Sequence, residues 1–535
     1  MSDPAALLRQ IADALRASDL ERAARLSDFA LSSGLRHPML YHARGTLLAA
    51  QGRHTEALVE LHRADAMPPP SIATRNAIAM SLVALERYGE AADAFDAAIL
   101  LKPDLAALYV RKGWVYERNG QLGAACKALE QAIALEPDHA EALSRLSFLA
   151  ARRGDWDEAG RCGEAALRLD SRQTAARLSL AMQALERDAS EAAELHLRVL
   201  LEDVSIGRTD RYLALGLMGD VFDRRNRTEE AFSYYEAAKL LLRNHPRRPS
   251  YTPTMFEATT GLIRYFESRS PAAAKTPNQT EGGMPHIFIM GFLRSGTTLV
   301  QQILASRDDA VALQERETLA EALRTYLAKP ADLDRLWAAD EKELAPYRQA
   351  YWRQVRNFGI DPAGKVMIDG MPIHTVKIPV IARLFPDATM VFVVRDPRDV
   401  VLSCYRRSFV ENATTDELLT LEGTARFYDA VMTLARLYRN KLPLKLHQLR
   451  LEDVIADFDG QIGGLCTAAG LEWSETMRNF AQTARNRGIV TPSGPQLARG
   501  LNARGIGQWR RYREFLAPVL PLLEPWVERF GYARD

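Results

Sequence analysis

The stretch GFLRSGTTLVQQIL, Gly291 to Leu304, holds the residues best placed to do chemistry. Gly291 and Gly296 have the G-x-x-x-x-G spacing of a phosphate loop, but Thr297 stands where a nucleoside-triphosphate hydrolase carries lysine. In those hydrolases the lysine reaches the β- and γ-phosphates, and magnesium is held by the next Ser/Thr and a strand-end acid. Here the apolar run VFVV leads straight into Arg395 instead. What the loop offers is one guanidinium (Arg294) and three hydroxyls (Ser295, Thr297, Thr298). The run HIFIMG before it reads as a buried strand and TLVQQILAS after it as a helix, so the loop sits at a helix N-terminus. Free backbone N–H groups and the helix dipole favour an anion there. The expected chemistry is capture of a small, pre-formed anion with no metal.

A second segment, RDPRDVVLSCYRR (395–407), repeats the theme. Arg395 leaves the end of a strand, Arg398 follows in the turn, and Ser403 comes on the helix. A forked cation and a hydroxyl would surround a terminal phosphate. Either segment alone could be an ordinary strand–helix corner. Two of them, about 100 residues apart, argue against that ordinary reading.

Together these segments resemble those of sulfotransferases that use 3′-phosphoadenosine 5′-phosphosulfate. GFLRSGTTLVQQILAS looks like their 5′-phosphosulfate loop and RDPRDVVLSCYRR like their 3′-phosphate segment. The resemblance runs through residues 286 to 532 and extends to KIPVIARLFPDA, TPSGPQ and GQWRRY. It is similar to the protein-tyrosine sulfotransferase-like group, whose bacterial members often carry tetratricopeptide repeats. The resemblance implies that Arg294, Ser295, Gly296, Thr297 and Thr298 hold the 5′ end of the donor, and that Arg395 and Ser403 hold its 3′-phosphate. It implies a catalytic base at Glu315, in ALQERETL, with Glu317 as the near alternative. Ser493 matches a serine that touches the sulfuryl region. Trp509 matches an aromatic residue near the nucleotide, although a core tryptophan reads equally well. Implied too is in-line transfer to an acceptor hydroxyl, that of a peptide or protein tyrosine, with no metal. Three positions depart from the family. Gly370 stands where a lysine contacts the bridging oxygen, Leu451 replaces a tyrosine near the cofactor, and Gln508 replaces a basic residue. A lysine restored at 370 is expected to raise turnover. His374 reads as a hydrogen-bonded structural histidine. A glycan or small-molecule acceptor, and a non-catalytic nucleotide-binding scaffold, stay open as alternatives.

These residues need elements to hold them. Later apolar runs, KVMID (365–369), ATMVFVV (388–394) and LKLHQLR (444–450), supply further strands with helical stretches between them. That alternation is expected of a parallel sheet covered on both faces. Before this domain the chain repeats itself. Ala23, Ala57, Ala91, Ala125, Ala159 and Ala193 recur every 34 residues, trailed by seven by Ala30, Ala64, Ala98, Ala132 and Ala166. Pro69, Pro103 and Pro137 close the units. This is the tetratricopeptide period, two crossing helices with a small residue where the backbones approach. About seven units span 1–245. Residues 246–285 form a joint, with one docking helix in TMFEATTGLIRYFES and a linker in SPAAAKTPNQTEGGMP. The α/β domain occupies 286–535.

Composition sets the outer limits. The 535 residues exceed one ordinary core, which suits the multi-domain reading. Lys and Arg total 69 and Asp and Glu 68, a net charge of +1, so no global field draws the chain to nucleic acid or to an anionic membrane. Anion binding must be local. Four scattered cysteines suggest packed, reduced thiols. No signal peptide or membrane span is apparent, so a cytoplasmic location is expected. The expected partner is a peptide or protein acceptor held in the concave face of the repeats.

Overall fold

A computed structural model describes residues 3–245, 253–269, 285–487 and 500–534. The chain forms two compact units. One comprises Met1–Ala150 with Trp156–Leu180, and the other Ala151–Asp155 with Ala181–Asp535.

The repeat region is a run of fourteen helices, α1 (Pro4–Arg16) through α14 (Thr228–Arg243). The 34-residue alanine series is the reason they pair. Ala23, Ala57, Ala91, Ala125, Ala159 and Ala193 are all fully buried. The glycines of the first helices are tighter still. A Cβ on Gly45 would lie 2.6 Å from Leu61 Cγ, and one on Gly219 would lie 2.4 Å from Tyr235 Cε1. No larger residue fits without moving the partner helix. The last pair, α13 (Arg208–Arg224) and α14, belongs to the second unit.

The second unit is built on five parallel strands, β1 (His286–Gly291), β2 (Ala310–Gln314), β3 (Val366–Gly370), β4 (Thr389–Val394) and β5 (Leu446–Arg450). Their order is β2-β3-β1-β4-β5. All residues of β3 and β4 are buried, as expected of strands covered on both faces. Ile287 and Ile289 of β1 join a cluster with Val300, Ile303, Val391 and Val393. Phe288, pointing the other way, meets Tyr351 and Phe385. The apolar runs anticipated four strands and missed β2. Two of its five residues are alanine, a poor strand former, and it lies at the sheet edge where no continuous buried run is needed.

The order dictates where a ligand can sit. From β1 the chain passes through α16 (Thr297–Ala305) toward β2 on one side, whereas from β4 it continues to β5 on the other. The crevice where the winding direction reverses lies between the carboxyl ends of β1 and β4. Gly291 pairs with Val393 there, so the phosphate-type loop and Arg395 rise side by side.

The joint is partly described. α15 (Met255–Ser268) starts with a capping box between Thr254 and Glu257 and docks on the sheet domain. Tyr265 Oη donates to Asp334 at 2.7 Å, and the backbone N–H of Phe256 to Glu417 at 2.9 Å. The expected linker, 270–285, falls almost wholly outside the described residues. The four cysteines are free thiols and all buried. Among the described residues no helix is long and apolar enough to cross a membrane.

Candidate active site

The loop after β1 is anchored at its first residue. The Gly291 N–H donates to Pro372 O at 3.1 Å, and Thr375 Oγ1 donates to Gly291 O at 2.6 Å. A Cβ on Gly291 would stand 2.4 Å from Val393 O, so only glycine lets the loop begin this close to β4. The turn then passes through two left-handed residues, Arg294 (φ 65°) and Gly296 (φ 106°). Such turns gather backbone N–H groups around one concavity. Ser295 N–H closes the turn onto Phe292 O at 3.2 Å. α16 starts at Thr297 with no side-chain cap, leaving its first-turn N–H groups to other acceptors. Thr297 and Thr298 are both buried at that start.

The Ser295 hydroxyl is the clearest sign that something binds here. Its Oγ is buried and finds no hydrogen-bond partner among the described residues. Across the crevice Arg395 is similar. Its terminal nitrogens donate to Arg294 O, at 3.1 Å, and to Gly505 O, while its buried Nε is left without a partner. Unsatisfied buried donors are costly unless a ligand completes them. Their chemistry, a hydroxyl and a guanidinium edge, suits phosphate or sulfate oxygens.

Arg294 joins the two halves. Its Nε donates to Ser403 Oγ at 3.2 Å, so loop and helix Pro397–Arg406 meet through the two residues assigned to opposite ends of one ligand. Burial pushes the Arg294 guanidinium down to about 9, helped by the like charges of Arg407 and Arg395. It is still a cation at neutral pH, but a crowded one. Arg407 was not singled out from the sequence; its spacing of four from Ser403, one helical turn, was the available signal.

Glu315 follows β2 at the same carboxyl edge, its N–H donating to Gly370 O at 3.3 Å. Burial raises its carboxyl pKa and Arg294 opposes the rise, which places the two groups in one electrostatic neighbourhood. Its backbone is left-handed (φ 45°), an uncommon state for glutamate that marks a constrained turn. Glu317 is differently engaged. It forms a 2.6 Å ion pair with Lys377 and also accepts the N–H of Leu319 at 2.9 Å. Of the two glutamates, Glu315 is the one without such a tie.

The departures from the family pattern have local explanations. A Cβ on Gly370 would lie 2.6 Å from Nε2 of Gln301, a buried residue of α16 whose amide donates to Leu313 O. Gln301 thus fills the space a side chain at 370 would enter. Leu451, at the end of β5, stands against Gly296, where a Cβ would be 2.9 Å from its Cδ1. Lys377 Nζ contacts Met371 Sδ at 3.3 Å, which puts a cation one residue beyond Gly370. Gln508 receives Arg511 and donates to Arg504 O. His374 is wholly buried and bonded through Nε2 to Asp369 at 2.9 Å, the geometry of a structural histidine.

Trp509 is 1% exposed and carries the Arg398 guanidinium 3.8 Å above its ring. Arg398 is otherwise spent on Asp396 and on the carbonyls of Ala533 and Arg534. Asp399 receives the N–H groups of Gly507 and Trp509, which ties the C-terminal segment to the site helix. Ser493 and the TPSGPQ segment lie outside the described residues.

Comparison with known proteins gives this geometry a family. Residues 285–475 match the sulfotransferase family and residues 106–139 match the tetratricopeptide repeat. An uncharacterized protein of Aquifex aeolicus (strain VF5) is 23% identical over 379 residues, covering 66% of this chain. This chain spans about half, 47%, of that curated relative's length. Among solved structures, a tetratricopeptide repeat protein from Parabacteroides merdae ATCC 43184 is 16% identical over 45% of this chain and 93% of its own, with a TM-score of 0.36. YrrB, a TPR protein with an unusual peptide-binding site, is 18% identical over 39% of this chain and 96% of its own, with a TM-score of 0.28. The chain therefore carries a tetratricopeptide-repeat solenoid followed by a sulfotransferase-family domain.

Proposed function

We propose that this protein is a sulfotransferase that uses 3′-phosphoadenosine 5′-phosphosulfate and acts on a peptide or protein hydroxyl, with tyrosine as the favoured acceptor. The observation that carries the reading is the pair of unpartnered buried donors, Ser295 Oγ and Arg395 Nε, flanking the switch-point crevice. When bound, the donor supplies an activated sulfuryl group. Ser295, Gly296, Thr297, Thr298 and Arg294 hold its 5′ end, and Arg395 with Ser403 its 3′-phosphate. Trp509 is assigned to the adenosine side and Ser493 to the sulfuryl contacts, both on sequence grounds. Glu315 accepts the proton of the attacking hydroxyl, a task helped by a carboxyl pKa above the ordinary range. Arg294 and the loop amides stabilise the charge that grows on the leaving phosphate. The repeats recruit the acceptor through their concave face, as stacked helix pairs do generally. A cytoplasmic setting fits this role.

One observation favours a binding-only protein instead. Gly370 places no cation beside the leaving oxygen, and Gln301 occupies its side-chain space. Lys377, whose Nζ contacts Sδ of the neighbouring Met371, is the candidate substitute.

Calorimetry with 3′-phosphoadenosine 5′-phosphate tests the donor assignment. Arg294→Ala and Arg395→Ala each remove a charge-assisted contact of about 1.5–3 kcal/mol, a loss of roughly 10- to 100-fold in affinity. Mutants that bind as tightly as wild type would sink it. Radiolabel transfer from the sulfated donor to tyrosine peptides, compared with sugars, separates the acceptor classes.

A further inference from the structure

The last helix pair of the repeats does more than end the solenoid. Helix Pro397–Arg406 carries Ser403, and its C-terminal end is gripped by α13 and α14. Arg406 pairs with Asp223 of α13 at 2.5 Å, and Tyr512 Oη donates to the same carboxylate at 2.7 Å. Lys239 of α14, only 3% exposed, donates from Nζ to Arg407 O at 2.9 Å. Arg407 is the first residue after the helix, its backbone already extended, so Lys239 holds the chain where it leaves the helix. Two residues on, the Phe409 N–H donates to Tyr212 Oη of α13 at 3.1 Å. Lys239 lies beside a small cleft lined also by Tyr212, Phe409 and Glu411. A solvated lysine would not be built into such a place to bind one backbone oxygen unless that oxygen had to be held.

We infer that Lys239 and Asp223 are positioning residues of the donor site: they fix the end of the helix whose Ser403 meets Arg294 and whose Arg407 charges the loop. This rests on the donor-site reading above. The physical link is short. Lys239 holds the Arg407 carbonyl just past the helix end, Arg407 acts electrostatically on Arg294, and Arg294 donates to Ser403 in the last turns of that helix.

The groups around Lys239 allow a specific readout. Burial brings its ammonium down to about 7, with Cys404 opposing. The other titratable neighbours are Tyr212 and Tyr405, both pushed up by burial, and Glu411 and Asp416 across the cleft. Protonated Lys239 makes a charge-assisted bond to Arg407 O, and the neutral amine a weaker one. Grip and affinity are therefore greater below pH of about 7 than above it.

The test uses the full chain and 3′-phosphoadenosine 5′-phosphate. Lys239→Met is expected to bind about tenfold more weakly at pH 6.5 or so, through loss of one charge-assisted bond. The ratio of wild-type to mutant affinity, in which the ligand's own phosphate titration near pH 6 or so cancels, is expected to shrink as pH rises through about 7. A role confined to folding would give a ratio flat in pH. Asp223→Asn, which loosens the same helix end from α13, is expected to weaken binding without changing that pH step. Full affinity in Lys239→Met at every pH, with binding lost in Arg395→Ala, overturns the inference and leaves the donor site standing. Wild type that fails to bind overturns the donor site itself.

Discussion

A lysine at position 370 tests how the missing cation and its surroundings are coupled. From the sequence alone, Gly370→Lys was expected to raise turnover by putting an ammonium beside the leaving oxygen. The structure adds a condition. The new Cβ would lie 2.6 Å from Gln301 Nε2 and 2.7 Å from its Cδ, both too close. Gln301 is 1% exposed and its amide satisfies Leu313 O, so moving it leaves a buried acceptor unpaired. That loss is about 1–3 kcal/mol, and the crowding adds about 1–3 kcal/mol. Gly370→Lys alone is thus expected to be roughly 2–6 kcal/mol less stable than wild type, with no gain in kcat. Gln301→Ala alone leaves Leu313 O unpaired, about 1–3 kcal/mol, and opens a cavity above Gly370 that adds to the cost. In the double variant the clash is gone, so its cost should approach that of Gln301→Ala, a coupling of roughly 2–6 kcal/mol, the whole cost of Gly370→Lys. Only there can the lysine settle, with up to roughly 10²-fold in kcat if it reaches its place. Urea denaturation of the four proteins and radiolabel transfer supply the cycle. A stable, faster Gly370→Lys single variant, or additive losses, would refute the reasoning.

Glu315→Gln should lower kcat and leave donor affinity unchanged, whereas Glu317→Gln should mainly cost stability by stranding Lys377; single-turnover kinetics with calorimetry decides, and the reverse pattern would move the base to Glu317. Because burial raises the Glu315 carboxyl pKa, the base is lost to protonation as pH falls through that raised value, so the acid limb of the kcat profile should lie above the ordinary carboxylate range and vanish in Glu315→Gln. A chain cut to residues 285–535 strips α13 and α14 from Arg406, Phe409 and the Arg407 carbonyl, so it should lose donor binding, while a chain from residue 181 should retain it; equal affinities for the two pieces would show that the last helix pair is dispensable.

The amino-acid sequence by itself determined the modules. A 34-residue alanine series can be satisfied only by repeated close helix crossings, and each of those alanines is buried. Gly291 and Gly296 likewise announce a loop whose backbone must come close to its neighbours, and both contacts are present, to Val393 and to Leu451. Apolar runs bounded by turns marked four of the five strands, and for β1, β3 and β4 the reason is plain, since strands buried on both faces are written as near-continuous apolar runs. Periodicity could not show β2, a short edge strand, even though Glu315 follows it. Relations between distant residues were also beyond local patterns. That Gln301 fills the space above Gly370, that Glu317 is tied to Lys377 while Glu315 is not, and that Lys239 grips a helix more than 150 residues away depend on sheet order and on packing across the chain. Sequence spacing encodes contacts within one helix turn or one repeat; contacts between elements are set by which strand lies beside which, and only the folded chain decides that.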